Sequence, residues 1–129
     1  MKSIANDSLE SEIYKPHVRY WYAVYVRSHH EKKVYQLFEK KGVESSLPLI
    51  KTTRKWSDRM KKVEVPLFRG YVFVRLDIDK DKLNILQTDG VVKFIGIRNE
   101  PSRIPDEEIH WIHIMTESHE VQNEKKIPA

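Results

Sequence analysis

Phe68-Arg69-Gly70-Tyr71-Val72-Phe73-Val74-Arg75-Leu76 is the stretch on which the reading of this chain turns. It is dominated by β-branched and aromatic residues and alternates cleanly. Tyr71, Phe73 and Arg75 fall on one face of a strand, and Gly70, Val72, Val74 and Leu76 on the other. Upstream, the run Tyr20–Val26 (YWYAVYV) has the same character, with Trp21, Ala23 and Tyr25 on one face and Tyr22, Val24 and Val26 on the other.

Between these strands, HHEKKVYQLFEKKG sets Val34, Leu37 and Phe38 at helical spacing, puts Lys40 and Lys41 in the last turn and supplies Gly42 as the stop. Val43 to Ile50 alternates as an extended segment in which Pro48 implies an edge or a bulge. Residues 51–62, KTTRKWSDRMKK, carry six basic residues and one acid without core periodicity, and predict a projecting basic hairpin centred on Ser57-Asp58. A short strand at Val63–Val65 ends at Pro66. After Leu76, residues 80–88 predict a helix capped by Asp79 or Asp81, with Leu83 and Leu86 turned inward. Gly90 ends it and VVKFIGI is the last strand. Pro105, followed by Asp106, Glu107 and Glu108, starts a final helix with Ile109, Ile112 and Met115 as its apolar stripe.

The order β-α-β-(hairpin)-β-α-β-α defines an α+β, ferredoxin-like plan, a four-stranded antiparallel sheet flanked by helices. Residues 1–18 have low apolar density and are expected to form a flexible tail. Residues 19–118 form the domain, and 119–129 are expected to be a linker or tail.

Composition narrows the function classes. With 129 residues and 40% hydrophobic content, the chain can build one compact core. The absence of cysteine excludes disulfide scaffolds, zinc ribbons and thiol nucleophiles. No apolar run approaches a membrane span and no signal-peptide core is present, so a cytoplasmic domain is expected. Charge is segregated: residues 19–105 hold nineteen basic and ten acidic side chains, whereas 106–129 hold two basic and six acidic. A basic middle favours a polyanionic partner.

Catalysis has little to stand on, and a non-enzyme without cofactor or metal is expected. There is no G-x-S-x-G, no P-loop and no G-x-G-x-x-G, and only four glycines from which to build a cradle. Asp79 and Asp81 lack a partner that would split their pKa values. His110 and His113, near Glu107, could begin a divalent-metal site, but no third ligand motif accompanies them. His29-His30-Glu31 reads as a capping, solvated group at a helix start. Binding has better candidates. Residues 69–76 come close to the RNP1 pattern of RNA-recognition domains, in which Tyr71 and Phe73 would stack on single-stranded RNA bases; Val72 and Leu76 depart from it. The hairpin cations Lys51, Arg54, Lys55, Arg59, Lys61 and Lys62, with Trp56 among them, suit a phosphate backbone and one stacked base.

WYAVYVRSHHEKKV, then KKVEVPLFRGYVFVRLD, then DGVVKFIG together resemble the N-terminal (NGN) domain of the NusG family of transcription elongation factors, over residues 20–118. The basic charge and long hairpin look like those of specialised members, the RfaH-like antiterminators and UpxY-type regulators of bacterial surface-polysaccharide operons. The resemblance implies a domain that binds the clamp-helix coiled coil of the RNA polymerase β′ subunit and suppresses pausing and termination; a monomer is expected. By motif position the polymerase-binding patch would comprise Tyr25, Phe68, Tyr71 and Phe73, with Ile109 and Ile112 as further members. It also implies contact with upstream or non-template DNA, to which Arg27, Lys80 and Lys82 correspond. Two departures stand out: Asp89 occupies a position that is basic in specialised members, and Arg69 replaces the proline of P-L-F-P-G-Y. Family members usually carry a C-terminal KOW barrel, and nothing after residue 118 has its pattern.

Overall fold

The computed structural model describes residues 18–98 and 100–126, with side chains to Thr116. In chain order the elements are β1 (Tyr20–Val26), α1 (Glu31–Lys40), β2 (Glu44–Ser46), β3 (Leu49–Trp56), β4 (Arg59–Pro66), β5 (Tyr71–Leu76), α2 (Ile78–Leu86), β6 (Val91–Phe94), β7 (Gly96–Ile97), β8 (Glu100–Pro101) and α3 (Asp106–Lys126). The main sheet runs β2-β5-β1-β6, entirely antiparallel, with β1 and β5 paired from Tyr20↔Leu76 to Tyr25↔Tyr71. This is the ferredoxin-like order expected from the sequence.

The strand alternation sorts residues onto two unlike faces. Tyr22, Val24, Val26, Val72, Val74 and Leu76 pack against Val34 and Phe38 of α1 and Ile85 of α2, and all nine are buried. The Tyr22 phenol lies in this layer; burial raises its pKa, while a hydrogen bond and the charge of Arg103 pull the other way. On the opposite face Ala23 and Phe73 pack with Ile109 of α3, flanked by Trp21, Ile95, Ile104 and Ile112. That second layer is smaller and leaves part of the sheet open.

α1 is amphipathic as read, and ends in a Schellman motif: the Val43 N–H donates to the Phe38 carbonyl (2.9 Å) and the Gly42 N–H to Glu39 (3.1 Å). The extended segment around Pro48 breaks into two strands. β2 pairs with β5 at the sheet edge, and β3 leaves the sheet to pair with β4 over its whole length, from Leu49↔Pro66 to Trp56↔Arg59. The short strand expected at Val63–Val65 is the base of that hairpin.

Three sequence expectations are corrected. α2 begins at Ile78 with Asp77 as its cap, whose carboxylate accepts from the Asp79 N–H (3.1 Å). Its inward face also differs from the expected one: Ile85 is buried and Leu83 is 65% exposed. VVKFIGI is not one strand. β6 stops at Phe94, and Gly96-Ile97 folds back on Glu100-Pro101, so close that a side chain at Gly96 would overlap the Glu100 carbonyl. Finally, Met115 lies on the exposed side of α3, and the helix continues past 118 to Lys126. No helix among the described residues is long and apolar enough to cross a membrane.

Candidate functional site

The open end of the second sheet face lies where β1 finishes and β5 begins. Tyr25 and Tyr71 are cross-strand partners with ring centroids 5.7 Å apart, and Phe68 meets Phe73 edge-on at 5.8 Å. Tyr25 is 40% exposed and Phe68 36%, with Tyr71 half-buried between them. The turn that positions these rings is pinned from three sides. The Tyr71 N–H donates to the Phe68 carbonyl (3.2 Å), the Val26 N–H to the Gly70 carbonyl (2.8 Å), and the Gly70 N–H to Glu31 Oε2 (2.7 Å). Gly70 has φ +85°, and a Cβ there would stand 3.0 Å from the Tyr25 ring, so glycine is needed both for the turn and for the close approach.

The six residues expected to form the patch therefore divide. Tyr25, Phe68 and Tyr71 reach the surface. Phe73 (7% exposed) and Ile109 (4%) lie beneath as their support, and Ile112 is half-buried at the margin of α3. The Glu31 carboxylate, read from sequence as solvated, is buried and holds the Gly70 turn across 39 residues. No local sequence signal marks that contact. α3 also exposes Trp111, Ile114 and Met115. Met115, expected in the inward stripe, instead joins Trp111 and Ile114 in an exposed apolar strip at 3–4 spacing opposite Ile109 and Ile112.

The basic residues fall into three groups. Lys51, Arg54, Lys55, Arg59, Lys61 and Lys62 lie on the β3–β4 hairpin, with Trp56 and Met60 exposed near its tip and Lys61 Nζ 5.5 Å from the Trp56 ring centroid. Arg27 follows β1 and donates to Asp89 (2.9 Å), whose other oxygen is 3.7 Å from Lys33 Nζ. Lys80 and Lys82 sit in the first half of α2, which starts at the opposite end of the sheet from Arg27. Lys80 there adjoins a cleft in which Arg19, Lys41 and Arg75 interleave with Glu44, Asp77 and Asp81.

His113 is engaged with Ser46 (Nε2 to Oγ 3.0 Å), and among the described residues no three metal-ligating side chains converge. α3 covers Phe73, so the face on which an RNA-recognition domain would stack bases is partly closed. The single-stranded RNA reading built on Tyr71 and Phe73 is accordingly not favoured.

Fold and surface together define a ferredoxin-like domain that offers an aromatic patch beside a cationic arm. The chain belongs to the NusG family: the family profile described as "Transcription termination factor nusG" matches residues 19–113. It is 29% identical over 114 residues to the "Transcription termination/antitermination protein NusG" of Borreliella burgdorferi, covering 76% of this chain and 62% of that protein. A solved structure described as "Domain interaction in Thermotoga maritima NusG" is similar at 26% identity with a TM-score of 0.54, covering 74% of this chain and 55% of that one. The chain thus spans less than two thirds of the length of either relative.

Proposed function

We propose that this domain acts in transcription elongation and antitermination by docking Tyr25, Phe68 and Tyr71 on the clamp-helix coiled coil of the RNA polymerase β′ subunit. Phe73, Ile109 and Ile112 support those rings from below. The domain bridges the polymerase cleft, keeps the clamp closed on DNA and disfavours the paused state. The observation that carries this reading is the exposed aromatic trio, fixed by the Glu31–Gly70 bond on a sheet of the NusG family fold. A few buried-on-binding aromatics in a shallow apolar site are the usual source of affinity for a partner helix.

The cationic hairpin supplies salt-dependent attraction to upstream or non-template DNA, and Arg27 adds to it when its ion pair with Asp89 opens. Lys80 and Lys82 contribute from the far end of the sheet. The long hairpin and the basic middle segment favour a specialised, RfaH- or UpxY-like role at surface-polysaccharide operons, performed in the cytoplasm by a monomer.

The test is binding of the purified chain to a β′ clamp-helix fragment, comparing wild type with Tyr25→Ala and Tyr71→Ala. Saturable binding that falls at least tenfold in both variants is expected. A well-folded wild type that does not bind the fragment overturns the reading.

A further inference from the structure

The two faces of the β3–β4 hairpin are not equivalent. Cross-strand partners share a face and successive residues alternate. Arg54↔Lys61 and Trp56↔Arg59 are therefore on one face, followed toward the base by Thr52↔Val63. The other face carries Lys55↔Met60, Thr53↔Lys62 and Lys51↔Glu64. Both faces hold three cations, yet only one pairs them with an aromatic ring and no carboxylate along the strands. The sole acid close by is Asp58 in the turn.

Trp56 is 59% exposed, more than a core or a hairpin fold requires of so large an apolar ring. Lys61 stands over one side of it at 5.5 Å. The same face runs down into a cleft of about 350 Å³ between the hairpin base and the sheet end, lined by Arg54, Arg69, His29, Ser28 and Tyr25 among others. Glu31 also borders this cleft, with its carboxylate committed to the Gly70 N–H. A stacking ring at the tip thus continues into a row of guanidinium and ammonium groups ending in a concave pocket.

We infer that the Trp56 face of the hairpin is a track for an unpaired nucleotide strand, with a base stacked on Trp56 and the backbone led by Arg59, Lys61, Arg54 and Arg69 toward the cleft. This rests on the nucleic-acid half of the proposed function and specifies its form. A duplex keeps its bases stacked on each other and leaves Trp56 unused; an unpaired strand offers it a free base face. Single-stranded DNA and single-stranded RNA share that chemistry.

The experiment is a fluorescence-anisotropy titration of the full chain with labelled dT12, rU12 and a blunt 12-base-pair DNA duplex at several salt concentrations. Wild type is compared with Trp56→Ala, Trp56→Phe and the double variant Arg54→Gln/Lys61→Gln. The single strands bind more tightly than the duplex. Trp56→Ala weakens them about ten- to a hundredfold and Trp56→Phe restores most of the loss. With four cations engaged, the single-strand salt slope is about −3, and the double variant lowers its magnitude by about one to two. Comparing the dT12 and rU12 arms identifies which strand is preferred.

Equal or tighter binding of duplex, or single-strand binding indifferent to Trp56→Ala, overturns the inference. So does a Trp56→Ala variant whose main loss is in binding the β′ fragment, because the ring would then touch protein. Trp56-dependent strand binding without β′ binding upholds this inference while sinking the polymerase reading. The reverse pattern does the opposite.

Discussion

One sheet carries two faces made from alternate residues of the same strands, and they are built to different standards. Toward α1 and α2, every inward residue of β1 and β5 except the half-buried Tyr20 is buried. Toward α3, burial is graded along the strands: Ala23 and Phe73 are covered, while their neighbours Tyr25 and Tyr71 emerge at the end. The covered face uses mainly valine, whose branched side chain fills a pleated interior. The graded face uses aromatics, which can be supported at one edge and still offer a large apolar surface at the other. Stability is concentrated on one side of the sheet, and the proposed function places recognition on the other.

Phe38→Ala tests the covered face and has the largest expected effect. The ring is fully buried between α1 and the sheet, so truncation should cost about 3–5 kcal/mol in chemical denaturation. That is a large share of the stability of a domain this size. A cost below about 1 kcal/mol would mean the layer is loosely packed and the contrast between faces is wrong.

Glu31→Ala joins the two faces and comes next. It removes the buried carboxylate that accepts from the Gly70 N–H, leaving a backbone donor without its partner. A loss of about 1.5–3 kcal/mol is expected, as for other hydrogen bonds to charged groups. Because the same turn orients Phe68 and Tyr71, affinity for the β′ fragment should also fall severalfold under conditions where the variant remains folded. Loss of stability with unchanged affinity would show that the patch does not depend on this tether.

Tyr71→Ala sharpens the contrast from the other side. The ring is only half-buried and stands against Tyr25, so destabilisation of about 1 kcal/mol is expected. The binding loss should be at least tenfold, well beyond what that change in stability explains. A stability cost equal to that of Phe38→Ala would reassign Tyr71 to the core.

Much of this arrangement was legible in the sequence, for a physical reason. FRGYVFVRL and YWYAVYV alternate with period two, so each residue's face follows from its position once the two strands are paired. The hairpin was readable because twelve residues without core periodicity cannot pack in the interior. Depth was not readable: alternation places Phe73 and Tyr71 on one face, but α3 covers only the first. The cap of α2 is Asp77 rather than Asp79 or Asp81, two or four residues earlier, and packing against the sheet buries Ile85 rather than Leu83. VVKFIGI looked continuous because nothing local reveals that Gly96 lies against the Glu100 backbone. The Glu31–Gly70 bond was hidden for the same reason, since sequence does not display contacts between distant segments.

Asp89→Asn has the smallest expected effect on the fold and the most instructive effect on the surface. Asp89 holds Arg27 at 2.9 Å and Lys33 at 3.7 Å, and all three side chains are more than half exposed. Such pairs contribute little to folding, so stability should stay within about 0.5 kcal/mol of wild type. The exchange nevertheless frees two cations from a carboxylate that competes with any phosphate approaching them. Affinity for nucleic acid should rise a fewfold at low salt, and the salt slope should steepen by about one to two as Arg27 and Lys33 join the contact. An unchanged slope would exclude both residues from the nucleic-acid path and confine it to the hairpin. A steepened slope with unchanged stability would show that Asp89 restrains the basic surface, so that one acidic residue tunes recognition without entering the packing that holds the sheet together.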